Sequence, residues 1–441
     1  MKLPFNLLGR KPWADGVEAG FDWRAYLDRY PDLVAAGIDD RRGAIRHWRQ
    51  FGRWEGRSAG PRSSEISGLM TCISARSMFL RAWGTVGCWD DAGAELELQR
   101  FDPEIDYARD VYLGPPFATI RAALRDNVMP FPDTCSHCAC LRTDGADTPD
   151  PAERRVMELF EAEPSYRCSL DCPGCVRRDV RRHAPLPHDL RPEALAKVLG
   201  DLAAAEGEIR GFSFQGHGEP TASPHLAALA EIVKTAYPGG YLAVATNCQA
   251  AVSPALTSCG IDEFVCSVDG VDQASFEPYR IDGDFALARR FMADLCRSRE
   301  RGALIRVVWR YVLFEHNDRD QQLERLAEIA DAIGVDAVVL VFTQNGPASR
   351  RLRHPADLPK WAGAVPVEAR WVGPSTLELA RRIDLAREAA ADGRRGEAAA
   401  LLASVARLVE RFWPAVDRLT TDEARVVNAL SDELARLPEM G

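Results

Sequence analysis

The chain has 441 residues, 46% hydrophobic and 27% charged, with a formal net charge of −10 at pH 7. Its length exceeds one ordinary core, so two or three domains are expected, and its acidic balance argues against broad nucleic-acid binding, because phosphates repel such a surface. No apolar run approaches a membrane span, the longest being stretches such as "VDAVVLVF" at 335–342. The amino terminus "MKLPFNLLGRKPW" is broken by charge and proline before an export signal forms. A cytoplasmic location is therefore expected, where thiols stay reduced. Twelve cysteines there point to metal ligation or redox chemistry rather than a disulfide framework.

In chain order, residues 21–57 are aromatic and helix-like, punctuated at Pro31, Gly37 and Gly52. The stretch reads as a small helical unit within an amino-terminal module, 1–62. Next comes a cysteine-rich block, 63–145, closed by the polar linker "RTDGADTPDPAE". Within it "TCISARSMFLRAWGTVGCWDD" reads as a hairpin about a glycine turn, and the segment before "DTCSHCACL" as a helix. From about 155 to 348, short apolar strands alternate with helical patterns. The strands are one running into Cys168, then 209–214, 241–246, 263–268, 303–314 and 336–342. Six such β/α units imply a parallel sheet covered by helices, either doubly wound or an open barrel. The remainder, 349–441, is expected to end in a helical tail with runs at 375–392, 395–413 and 420–436.

The chemistry concentrates in "RCSLDCPGCVRR", where Cys168, Cys172 and Cys175 follow the first strand. Thiolates select zinc, copper(I) or iron–sulfur clusters, and structural zinc usually takes four protein ligands. Three thiols on a loop at the carboxyl edge of a β/α sheet leave one metal position open. Arg177, Arg178, Arg181 and Arg182 either offset cluster charge or form a solvated face.

CxxxCxxC after strand one, "FQGHGEP" after strand two, "ATN" after strand three and "SVDGVDQASFEPYR" after strand four together resemble the radical S-adenosylmethionine (SAM) superfamily, over about 180 residues. The resemblance implies a partial (β/α)6 barrel in which Cys168, Cys172 and Cys175 hold three irons of a [4Fe-4S] cluster. SAM would chelate the fourth through its amino and carboxylate groups. Gly216, Gly218 and Glu219 would hold the methionine amino group. Ser267 and Asp269 would face the ribose or the carboxylate, with Arg280 on that carboxylate. Thr246, Asn247 and Asn317 would line the same rim, and the backbone of 339–341 would meet the adenine. The family often places an aromatic residue before the third cysteine; here Gly174 stands there. The implied reaction is reductive cleavage of SAM to a 5′-deoxyadenosyl radical that abstracts hydrogen from a peptide, protein or glycan-related substrate. A one-electron donor such as flavodoxin or ferredoxin is implied with it.

Cys72, Cys88, Cys135, Cys138 and Cys140 have the stoichiometry of a closed four-thiolate site, zinc or iron–sulfur. The block resembles the auxiliary-cluster domain called SPASM. That resemblance implies one auxiliary [4Fe-4S] cluster on Cys72, Cys88, Cys135 and Cys138, with Cys140 a substitute ligand. Two features depart from it: that domain usually follows the barrel, and the block has too few cysteines for two clusters. The 21–57 segment also resembles a short module found beside bacterial glycan-synthesis proteins. The competing class is a non-catalytic zinc or iron–sulfur scaffold. Cys248, Cys259, Cys266 and Cys296 read as small buried hydrophobes.

Overall fold

The computed structural model describes residues 23–47, 70–88, 96–126, 129–135, 138, 140–143, 156–175, 177, 188–343, 347–353, 355–372 and 376–412. They fall into two compact units. The first takes the described residues of Arg76–Ala118 and Pro151–Val372, and the second those of Asn6–Ala75, Thr119–Asp150 and Gly373–Gly441.

The first unit is built on a ten-stranded sheet. Its strands are β1 (Ser77–Leu80), β2 (Val86–Gly87), β3 (Glu97–Gln99), β4 (Leu159–Ala162) and β5 (Phe212–Phe214), then β6 (Leu242–Thr246), β7 (Glu263–Ser267), β8 (Arg306–Val312), β9 (Ala337–Thr343) and β10 (Val367–Val372). The spatial order is β10-β9-β8-β7-β6-β5-β4-β1-β2-β3. From β4 to β10 every neighbouring pair is parallel. Helices alternate with these strands: α1 (Pro192–Ala204), α2 (Leu226–Ala236), α3 (Pro254–Ser258), α4 (Gln273–Phe276), α5 (Phe285–Ser298) and α6 (Asp320–Ile333). Leu195, Val198, Leu199 and Leu202 of α1 are buried at helical spacing. Gly334, at φ 77°, ends α6 in the left-handed conformation that glycine adopts without strain.

The sheet is wider than the pattern implied. The expected hairpin forms, β1 pairing antiparallel with β2, but β1 also pairs in parallel with β4, joining Ser77 to Leu159 and Leu80 to Ala162. Residues expected in a separate 63–145 domain thus extend the same sheet as the β/α repeats. Parallel backbone bonds satisfy the β4 edge that an independent domain would have left open. At the other margin β10 pairs with β9 beyond the expected boundary at 348, so the sheet runs on to Val372.

The second unit includes three short helices, Trp23–Arg29, Pro31–Ala35 and Arg41–His47, closed around Tyr26, Leu27, Leu33, Ala44 and Ile45. This matches the helical reading of that segment, with Gly37 at its left-handed turn. Helices Thr376–Ala391 and Arg395–Phe412 also belong to it, while the expected 420–436 run lies outside the described residues. Buried Glu378 and Arg382 pair at 2.9 Å; Thr143 Oγ1 donates to Glu378, and Arg382 to Ser404 Oγ and Leu141 O. No helix among the described residues is long and apolar enough to cross a membrane.

Candidate active site

All four motif loops leave the carboxyl ends of consecutive parallel strands, which puts them along one edge of the sheet. The cysteine loop follows β4. Its base is closed where Ser165 bridges Asp189: Ser165 Oγ donates to Asp189 Oδ1 at 2.7 Å, and Arg167 pairs with the other oxygen at 2.7 Å. Arg177 is buried, and its guanidinium donates to the carbonyls of Leu170 (3.1 Å) and Cys168 (3.4 Å). It braces the loop from within instead of forming a solvated face. Arg178, Arg181 and Arg182 lie outside the described residues.

Two residues from later strand ends reach this loop's sulfurs. Asn247 Nδ2 lies 3.5 Å from Cys168 Sγ, and Arg280 Nη1 lies 3.8 Å from Cys172 Sγ. Burial pushes the Cys168 and Cys172 thiols up, while Arg177 and Arg280 respectively pull them back toward ionisation. Among the described residues no three His, Cys, Asp or Glu side chains gather closely enough for a single metal ion.

Glu219 is buried and joins three loops. Its Oε1 accepts from Thr221 N (3.0 Å), Thr221 Oγ1 (2.7 Å) and Thr246 Oγ1 (2.7 Å); Oε2 accepts from Asn247 N (2.7 Å). Its own backbone N–H donates to Arg167 O at 2.7 Å, beside the first cysteine. Thr246 and Asn247 therefore share one carboxylate with the "GHGEP" loop, and Oε2 keeps acceptor capacity among the described residues. The next residue, Cys248, is held at φ 62°, a left-handed conformation uncommon outside glycine.

The glycines of "GHGEP" face protein. A Cβ on Gly218 would lie 2.0 Å from Ser165 O, and one on Gly216 would lie 2.6 Å from the Glu163 side chain. The absent side chains let this loop press against the strand β4 exit. Glu163, 1% exposed, fastens it by accepting from His217 N (2.6 Å), Gly218 N (3.0 Å) and Ala82 N (3.3 Å). Burial raises the Glu163 pKa, against which these N–H donors and Arg81 act. His217 shares this pocket. Burial, reinforced by Arg81, pushes its pKa down to about 4, so the ring is neutral at pH 7.

Asp269 is fully buried, accepting from Val312 N (2.8 Å) and pairing with Arg280 Nε (2.6 Å). Burial alone would lower the Arg280 pKa; Asp269 and Cys172 outweigh it and raise it. Asn317 is also fully buried, with every side-chain bond spent on backbone. Its Nδ2 donates to Asp269 O and Val312 O (both 2.9 Å), and its Oδ1 accepts from Phe314 N (2.7 Å). It shapes the turn after β8. Ser267 ends β7 with its hydroxyl unbonded among the described residues.

Glu163, Arg81 and Tyr279 were not singled out by motif reading. A Cβ on Gly174 would lie 2.9 Å from Tyr279 Oη, so an aromatic ring does stand beside the cysteine loop, supplied by the segment after α4. Tyr279 stacks on Phe314 with centroids 4.1 Å apart. Burial pushes its hydroxyl up to about 12. The available signal was the tyrosine directly before Arg280, and for Glu163 a carboxylate directly after the apolar strand in "LFEAEP".

Of the remaining cysteines, Cys88 lies in the first unit, and Cys72, Cys135, Cys138 and Cys140 in the second. Two sulfurs accept backbone N–H groups two residues on: Cys72 from Ser74 (3.4 Å) and Cys138 from Cys140 (3.2 Å). Such donors favour the thiolate form. Cys72 also pairs with Leu141 across a short antiparallel ladder. Cys248, Cys259 and Cys266 are buried, as small hydrophobes would be, whereas Cys296, expected with them, is only half-buried near the end of α5.

No protein-family model and no curated protein matches the chain. Several solved structures resemble it loosely. Streptococcus suis SuiB bound to S-adenosylmethionine is 14% identical with a TM-score of 0.37, over 69% of this chain and 72% of that one. SuiB bound to precursor peptide SuiA is 13% identical at 0.32, over 63% and 62%. The protein anSMEcpe with bound AdoMet is 18% identical at 0.35, over 46% and 57%. The chain spans less than two thirds of the peptide-bound SuiB and of anSMEcpe. At these scores the overlaps carry no argument about chemistry, which rests on the residues described above.

Two outcomes follow. Gly218→Ala is expected to destabilise the first unit by about 3 kcal/mol, since its Cβ meets rigid backbone; the urea midpoint, at unchanged slope, measures this. For His217, the unfolded ring binds a proton near pH 6.5 and the folded ring only near pH 4. Stability present above pH 6.5 is therefore lost as pH falls toward 4, by about 3 kcal/mol. His217→Gln is expected to flatten that part of the stability–pH curve.

Proposed function

We propose that the protein is a radical SAM enzyme. The observation that carries this reading is the convergence on the cysteine loop of donors from two later strand ends, Asn247 toward Cys168 and Arg280 toward Cys172. The donor set fits an iron–sulfur cluster: three thiols on one loop, each free to meet its own iron, with N–H donors against two sulfurs. Cys168, Cys172 and Cys175 would hold the cluster, and Glu219 Oε2, which accepts one N–H, would accept from the SAM ammonium as well. Ser267 and Asp269 border the same edge with Thr246, Asn247 and Gly216. When bound, such a cluster would supply the electron for reductive cleavage of SAM to a 5′-deoxyadenosyl radical, the species that would take hydrogen from the substrate.

The chain's own residues position and exclude. Arg177 and the Ser165–Asp189 bridge fix the loop's path. Glu163 and Glu219 hold the "GHGEP" backbone against it, and Tyr279 with Phe314 keeps an apolar wall beside the cysteines, limiting water. The substrate class is a peptide, protein or glycan-related molecule, and the electron donor a flavodoxin or ferredoxin. We further propose one auxiliary [4Fe-4S] cluster in the second unit, on Cys72, Cys135 and Cys138, with Cys140 as the further thiol. The N–H donors to Cys72 and Cys138 support it.

After anaerobic reconstitution with iron and sulfide, reduction with SAM is expected to release 5′-deoxyadenosine, and Cys172→Ala to bring it to background by chromatography. Zinc alone in metal analysis, with no visible absorption, would favour a non-catalytic scaffold instead. Cys138→Ser is expected to lower iron from about eight toward about four per chain while Cys172→Ala independently removes the other four. Unchanged iron in Cys138→Ser would sink the auxiliary assignment.

A further inference from the structure

The segment after α4, residues 279–285, lies along the cysteine loop as a strap. Tyr279 Oη stands 2.9 Å from where a Cβ of Gly174 would be, Arg280 Nη1 lies 3.8 Å from Cys172 Sγ, and Ile281 O accepts from Asp171 N at 3.2 Å. The contacts run along the loop from 171 to 174. The strap turns back at Asp282, whose φ of 67° puts a non-glycine residue in the left-handed region. Such a turn persists where its surroundings hold it.

Two side-chain amides supply that hold. Gln249 Oε1 accepts from Asp284 N at 2.8 Å, and its Nε2 donates to Asp284 O at 3.1 Å. Gln273, at the start of α4, donates from Nε2 to Gly283 O and accepts at Oε1 from Phe285 N, both at 2.9 Å. Each amide gives one donor and one acceptor to the main chain, as a neighbouring strand would, so 283–285 is bonded on both sides. These bonds are not needed to start α5, because the Asp284 carboxylate already caps that helix by accepting from Leu287 N at 3.1 Å.

Gln249 reaches further than the strap. Its own N–H donates to Asn247 Oδ1 at 3.0 Å, which turns the other end of that amide, Nδ2, toward Cys168 Sγ. Its Nε2 also donates to Asn247 O at 3.4 Å. One residue is therefore tied to both groups that put N–H donors against sulfur, to Asn247 directly and to Arg280 through the strap. We propose that Gln249 is a positioning residue, seconded by Gln273, that locks the strap onto the cysteine loop and so sets how strongly Asn247 and Arg280 donate to the sulfurs of Cys168 and Cys172. N–H donors to thiolate sulfur stabilise the reduced, more negative form of an iron–sulfur cluster and raise its reduction potential. This deepens the function proposed above and rests on it.

Gln249→Met keeps the side-chain length and removes its hydrogen bonds. In the metal-free full chain, alkylation of Cys172 by iodoacetamide, mapped by mass spectrometry, is expected to run about tenfold faster in this variant than in the wild type, because the lost bonds ease local opening. Cys259, buried directly after α3, is expected to keep its wild-type rate. In the reconstituted chain, a redox titration of the paramagnetic signal that SAM alters is expected to show an about tenfold lower ratio of reduced to oxidised cluster at a fixed poise, about 59 mV for one electron. Gln273→Met, which frees the strap but leaves Asn247 bonded, is expected to match the labelling and to shift the titration less. It carries the test if Gln249→Met does not fold. Wild-type labelling and titration in the variant overturn the proposal. So does faster labelling with an unmoved titration, or an equal rise at Cys259. If the wild type shows no signal that SAM alters, the function proposed above fails, and the labelling of Cys172 still decides whether Gln249 holds the strap.

Discussion

The buried pair of Asp269 and Arg280 is the contact on which the edge of the sheet depends. Asp269 ends the turn after β7, takes a backbone N–H from β8, and offers its carbonyl to Asn317. Its partner Arg280 then reaches the cysteine loop. Three chain segments separated by dozens of residues are thus referred to one carboxylate. Desolvating both charges is expensive, and the bonds to Val312 and Cys172 make the arrangement tolerable. Taking away either partner would strand a charge in the interior, at a cost of about 3–5 kcal/mol.

A second carboxylate repeats the device two loops earlier. Glu219 draws Thr246 and Asn247 to the "GHGEP" segment, and Glu163 draws that segment's backbone to the exit of β4. In both cases an acidic side chain accepts main-chain N–H groups that the end of a strand leaves unsatisfied. The edge is held rigid by anions placed under it, and the residues nearest the sulfurs are the ends of those connections.

The strands were legible because each is a short apolar run between turn residues, and the helices because their buried positions recur at helical spacing. The clustering of Cys168, Cys172, Glu219, Asn247 and Arg280 was legible from motif order along a β/α repeat. Less local features were not. Nothing in "SMFL" announces that Ser77 will pair with Leu159, since the pairing depends on a partner far along the chain. Gly218 also has a packing reason that spacing does not reveal, since Ser165 O fills the place of its Cβ. Asn317 read as a rim residue, and its amide turned out to be spent on three backbone groups. Gly174 read as a missing wall, while the ring beside it arrives from Tyr279, more than a hundred positions later.

The parallel pairing of β1 with β4 bears on how the chain is made. Residue 77 leaves the ribosome well before residue 159, so its strand has no parallel neighbour until the later segment has been translated. Until then the hairpin of β1 and β2 is a nascent ribbon with one bare margin, exposed to whatever else is near the exit tunnel. The uncharged side chains of "SMFL" do nothing to deter mispairing at that margin during the interval.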